Sequence, residues 1–103
     1  MVMKTKNDLV KLGLPEYKAD EIMLLQEKML EQAVKFQFRK KDGSLRDAVG
    51  TLKRDLMKQE DGTLWEPKGE AKPEPATVIR FFDCVKGLWR CFTCTEFIGM
   101  VEE

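Results

Sequence analysis

The pair Cys91-x-x-Cys94 has the spacing of half a tetrahedral zinc site or of a dithiol redox couple. Completing a zinc site takes two further ligands. The chain has no histidine and no second Cys-x-x-Cys pair among its three cysteines. On a single extended strand the odd spacing would also point the two thiols at opposite faces. Buried or half-buried free thiols are therefore expected, with no metal and no cofactor. A second group is basic: Lys35, Arg39, Lys40, Lys41 and Arg46, with Phe36 and Phe38 interleaved. Cations among aromatics can hold phosphates and stack on bases. Here strict alternation sends the two phenylalanines to the face opposite Lys35, Gln37 and Arg39, which describes a core face and a solvated face. Arg39, Lys40 and Arg46 remain the candidates for phosphate contact. Asp83 and Arg90 flank a Lys86-Gly87 turn. In a two-residue turn they lie directly opposite as a cross-strand ion pair; a three-residue turn with a bulge shifts the register by one. The acidic pair Glu60-Asp61 sits in a polar stretch with no preorganised partner, so no acid–base catalysis is assigned there. The chain is not expected to be an enzyme.

Positioning these residues takes one domain, which is what 103 residues allow. Eighteen basic and eighteen acidic side chains cancel. No global field therefore steers the chain toward nucleic acid or anionic lipid, and any such binding must be local. The N-terminus, Met1-Val2-Met3-Lys4-Thr5-Lys6, has no apolar stretch after its lysines, and no apolar run approaches the ~20 residues that span a bilayer. A cytoplasmic chain with reduced thiols and no membrane association is expected.

Residues 5 to 31 read as helical. Thr5 and Asp8 have capping-box spacing, Gly13 is a stop, and Pro15 opens a second helix. Ile22, Leu25, Met29 and Ala33 fall at helical spacing, with Leu24 and Leu30 widening the stripe. The stripe covers one face or end of the β domain; the alternative is a partner-binding or dimerising helix. From Gln32 the period becomes two: Val34, Phe36 and Phe38 alternate with charged and polar residues, Asp42-Gly43 marks a hairpin, and Leu45 to about Lys53 returns. Gly50 inside that strand suggests a bulge or sharp bend. Residues 58–76, polar and holding Pro67, Pro73 and Pro75, read as a long mobile loop. Within it Trp65 is either a pin or an exposed anchor. Thr77 to Asp83 and Leu88 to Phe92 form a second hairpin, and Thr95 to Val101 supplies a short turn and a last strand. The expected fold is mainly β with N-terminal helices: a helical segment 1–31, then a small five-stranded SH3/Sm-like barrel over 32–103.

Two blocks, Phe36-Gln37-Phe38-Arg39-Lys40-Lys41-Asp42-Gly43-Ser44-Leu45-Arg46 continuing to Leu52, and Arg80-Phe81-Phe82-Asp83 with Lys86-Gly87 and Leu88-Trp89-Arg90-Cys91-Phe92, stand in the order of a bacterial WYL-like family with an Sm-like SH3 barrel. The resemblance covers residues 34 to 98. It implies a barrel that senses nucleic-acid or nucleotide ligands, as in larger WYL transcriptional regulators, and it adds Arg90, matching the family's Arg-x-Phe motif, to the candidates. Thr77-Val78-Ile79 stands near the place of the naming tripeptide, and Thr95-Glu96-Phe97 near the family's second arginine. The function expected is a non-enzymatic binding or regulatory module. The alternative is a structural or protein-interaction domain, or a homo-oligomer, acting through the N-terminal helices or a barrel edge.

Overall fold

The structure is a computed structural model that describes residues 3–69 and 74–101. Two helices, α1 (Lys6–Lys11) and α2 (Glu16–Met29), precede five strands: β1 (Val34–Arg39), β2 (Leu45–Thr51), β3 (Val78–Asp83), β4 (Leu88–Thr93) and β5 (Phe97–Met100). Short 3-10 turns follow β2 at Arg54–Leu56 and join β4 to β5 at Cys94–Glu96. The strands form one antiparallel sheet in the order β4-β3-β2-β1-β5. This is the mainly β fold with N-terminal helices that the sequence pattern implies.

Local chemistry explains the helices. The Thr5 hydroxyl accepts from the Asp8 N–H while the Asp8 carboxylate accepts from the Thr5 N–H, a complete capping box. Along α2 the buried positions are Ala19, Ile22, Leu25, Gln26 and Met29. Leu24 and Leu30 are exposed and Ala33 lies beyond the helix in solvent, so the apolar stripe is narrower than the residue types suggest. The position they do not announce is Gln26. Its amide forms a reciprocal pair with the backbone of Lys4, accepting from the Lys4 N–H and donating to its carbonyl. Lys4 is itself buried against Glu74. Two polar groups can be buried here because each is hydrogen-bonded.

The sheet packs its inner face around an aromatic nucleus. Phe36 meets Phe81 edge-on at 5.0 Å and Phe92 at 5.4 Å; Phe92 stacks between Phe38 and Phe97 at 5.5 and 5.7 Å. Leu9, Ile22, Leu25 and Met29 from the helices close the same core. Gly50 is not a bulge. A Cβ at this position would stand 2.7 Å from the Phe81 ring and 3.0 Å from Phe36, so the residue is small because two rings press against the strand. The end of α2 is tied to β2: the Met29 carbonyl accepts from the Leu52 N–H and from the Thr51 hydroxyl.

The second hairpin is longer than its Lys86-Gly87 signal suggests. Asp83 pairs with Leu88, which leaves Cys84-Val85-Lys86-Gly87 as a four-residue loop. Gly87 adopts positive φ, and a side chain there would meet the backbone of Gln59 and Glu60. That contact exists because the segment expected to be loop from residue 58 begins with a tight turn. Lys58 bridges Leu64, the Gln59 N–H donates to the Thr63 carbonyl, and the Asp61 side chain accepts from the Thr63 N–H and hydroxyl. Trp65 then donates its N–H to the Met57 carbonyl and packs its ring on Trp89 at 5.2 Å, edge to face. It pins this segment to the outer face of the sheet, where Phe82 also meets Trp89. The stretch 70–73 of the expected loop, Pro73 included, lies outside the described residues.

Candidate functional site

The inner face of the sheet is apolar until it reaches the end where β3 turns into β4. There Asp83 is 1% exposed, a buried carboxylate that needs compensation. It has four neighbours. Oδ1 accepts from the backbone N–H groups of Val85 and Lys86 at 2.9 and 3.0 Å, which fastens the hairpin loop. Oδ2 accepts from the Arg46 guanidinium at 2.9 Å and faces Arg90 Nε at 3.6 Å. The pleat explains the convergence. Arg46 lies opposite Phe38, and Arg90 opposite Phe81, so both arginines share the face of the buried phenylalanines. Arg90 lies diagonal to Asp83 rather than directly across from it, because the loop holds four residues.

One carboxylate thus holds the Arg46 guanidinium by a hydrogen bond and attracts Arg90 by charge alone, and a positive charge is left over. Arg90 Nε is buried and has no hydrogen-bond partner among the described residues. The Arg90 side chain remains about one third exposed and the Arg46 side chain 16%.

The other two basic candidates lie elsewhere. Arg39 pairs with Leu45 on the outer face, and Lys40 begins the turn between β1 and β2. Together with Lys41, Gly43, Thr93 and Glu96 they line a shallow groove of about 340 Å³. Of the four cations singled out from sequence, the structure therefore joins Arg46 to Arg90 and Arg39 to Lys40, in two groups that share no lining residue. Glu96 stands in the second group. Phe36 and Phe38 are buried, so neither offers a ring to a base.

The cysteines differ in exposure: Cys91 on β4 is exposed rather than buried or half-buried, Cys84 in the hairpin loop is half-buried, and Cys94, in the 3-10 turn after β4, is wholly buried, its thiol pushed up to about 11 by desolvation. Among the described residues no group of three or more histidine, cysteine, aspartate or glutamate side chains is placed to hold a metal, and no helix is long and apolar enough to cross a membrane.

The register of Asp83 is the feature that local sequence signals reveal least. Neither a two-residue nor a three-residue turn at Lys86-Gly87 corresponds to the four-residue loop, and the role of Asp83 in gathering Arg46 from another hairpin leaves no local signature.

A family model described as WYL_2, Sm-like SH3 beta-barrel fold, matches residues 22–98 of the 103. The chain belongs to this family. The match begins at Ile22, so the second half of α2 belongs to the matched unit along with the barrel. Membership suggests a regulatory or ligand-binding module of a generally non-catalytic type. No curated protein and no solved structure matches the chain.

Proposed function

We propose that this WYL_2 barrel is a non-enzymatic sensor of a phosphate-bearing ligand, a nucleotide or single-stranded nucleic acid, and that Arg90 and Arg46 make its principal contacts. The observation that carries this reading is the arrangement at Asp83: a buried carboxylate hydrogen-bonds the Arg46 guanidinium, draws Arg90 to 3.6 Å by charge while its side chain stays about one third exposed, and does not cancel their combined charge. Guanidiniums held in place lose little freedom on binding, and their planar donor sets suit phosphate oxygens. Arg39 and Lys40 add a second cationic surface that a longer ligand can reach along its backbone. The neutral net charge implies modest affinity, since no long-range field assists.

The test is fluorescence anisotropy with a labelled oligo(dT) and, in competition, ATP. Binding is expected at low ionic strength and should weaken roughly tenfold between 50 and 200 mM salt, as two or three phosphate contacts require. Arg90→Gln should remove most of it and Arg39→Glu a smaller part. Glutamine is the informative replacement at position 90, because glutamate would set a second carboxylate against buried Asp83. Wild-type protein that binds neither probe at low salt contradicts the proposal.

A further inference from the structure

The loop between β3 and β4 hangs on one residue. Of its four backbone N–H groups, that of Cys84 donates to the Val49 carbonyl, and the other three all end on Asp83. Val85 and Lys86 donate to the side-chain Oδ1, and Gly87 donates to the Asp83 carbonyl at 2.8 Å. The ladder gives little further support, because β2 and β3 pair only at Gly50 with Asp83 and Thr51 with Phe82. The loop leans instead on the turn at residues 59–62. Gly87 comes so close that a Cβ there would stand 2.8 Å from the Glu60 nitrogen and 3.0 Å from the Gln59 carbonyl carbon. Val85 and Lys86 are exposed, so water can take over their hydrogen bonds.

The same carboxylate faces the arginines. Its Oδ2 accepts from Arg46 and stands 3.6 Å from Arg90. A carboxylate this deeply buried is tolerated only while its charge is met. An anion seated on the two guanidiniums takes part of that compensation and sets a second negative charge nearby. Asp83 itself is fixed in the sheet between Gly50 and Leu88. The part free to yield is the loop, whose opening admits water to the carboxylate. We propose that Cys84–Gly87 is the response element of the arginine pair: an anion on Arg46 and Arg90 loosens the hold of Asp83 on Val85 and Lys86, and the loop lifts from the turn at 59–62. The inference rests on phosphate binding at that pair and adds what the binding changes. Coupling between two sites is reciprocal, so whatever lifts the loop also strengthens the anion site.

The probe is ATP at saturating concentration and low ionic strength, and the readout is amide–water exchange by NMR. Exchange at Val85 and Lys86 should quicken about fivefold or more, the lower end of an ordinary coupling between sites. The Leu52 N–H, held by the Met29 carbonyl, should not change. Asp83→Asn keeps an acceptor for the loop and carries no charge for an anion to oppose, so its loop exchange should not respond to saturating ATP. Gly87→Ala cannot seat the loop against Gln59 and Glu60 and should bind ATP more tightly by a similar factor. ATP that binds the arginines while exchange at Val85 and Lys86 stays the same or slows overturns this inference and leaves the sensing reading standing. A response that persists in Asp83→Asn overturns it too, as does a folded Gly87→Ala protein that binds no more tightly than wild type. The wild-type measurement decides even where a variant fails to fold. ATP that does not bind the pair overturns both readings.

Discussion

Replacing Asp83 by alanine should damage the protein more than its place beside a surface hairpin suggests. The substitution removes the acceptor for Arg46, whose side chain is only 16% exposed, and for two loop N–H groups. Breaking a buried ion pair by deleting one partner costs about 3–5 kcal/mol, because the other charge stays buried and uncompensated. Arg46 keeps some access to water, and the N–H groups belong to the exposed residues Val85 and Lys86, which water can serve, so about 3 kcal/mol is the appropriate figure. For a chain of this length that lowers Tm by roughly 10–20 °C. Asp83→Asn keeps the Oδ1 acceptor and should lose about 2 kcal/mol, between wild type and alanine. Urea denaturation followed by the fluorescence of Trp89 and Trp65 measures all three. In the Asp83→Ala background, Arg46→Gln should cost almost nothing further, giving a coupling of about 2 kcal/mol in the double-mutant cycle. An Asp83→Ala protein within about 0.5 kcal/mol of wild type would refute the reasoning.

Gly50→Ala should destabilise by about 1–3 kcal/mol, since its methyl group has nowhere to go between Phe81 and Phe36; chemical denaturation with an unchanged m-value checks it. Cys94 has a raised pKa in the folded state, so the folded chain holds that proton more tightly than the unfolded one. Its contribution is complete below the unfolded value near 9 and is lost as pH rises toward about 11, which a denaturation series over that range should show as falling stability, abolished in Cys94→Ala. Iodoacetamide at pH 8 should label Cys91 well before Cys94, as peptide mass mapping will read. Lys18→Ala/Glu21→Ala removes the side chains that satisfy the outward backbone groups of β5 and should lower stability in chemical denaturation by about 1–3 kcal/mol.

What the sequence discloses and what it conceals divide by range. Thr5 and Asp8 cap α1 through neighbours, and the alternation of Val34, Phe36 and Phe38 is a property of one strand; both are legible. The turn at Lys58–Leu64 is also local. Its Asp61-Gly62 dipeptide is the same signal that marks the first hairpin, but the surrounding lysines, glutamates and prolines mask it. Gly50 is conspicuous in the sequence, but of the bulge or bend it suggests the bulge is absent, and its size answers a tight approach of two rings from β1 and β3 that leaves no local signature. The buried amide of Gln26 and the exposure of Leu24 and Leu30 depend on which side of α2 meets the barrel, a fact about another element. The same holds for the candidate site. Arg46 and Arg90 can be named by type, but their convergence on Asp83 follows from a four-residue loop and from the inward pleat of three strands.

The most direct test of that convergence as a binding site is side-chain NMR of the arginine Nε–H groups during titration with ATP at low salt. If Asp83 holds the pair ready for phosphate, the Arg90 resonance moves first and furthest, Arg46 moves with it, and both saturate with one affinity while the buried Gln26 amide stays fixed. Shifts spread evenly over exposed lysines and arginines, with Arg90 and Arg46 unmoved, would contradict it.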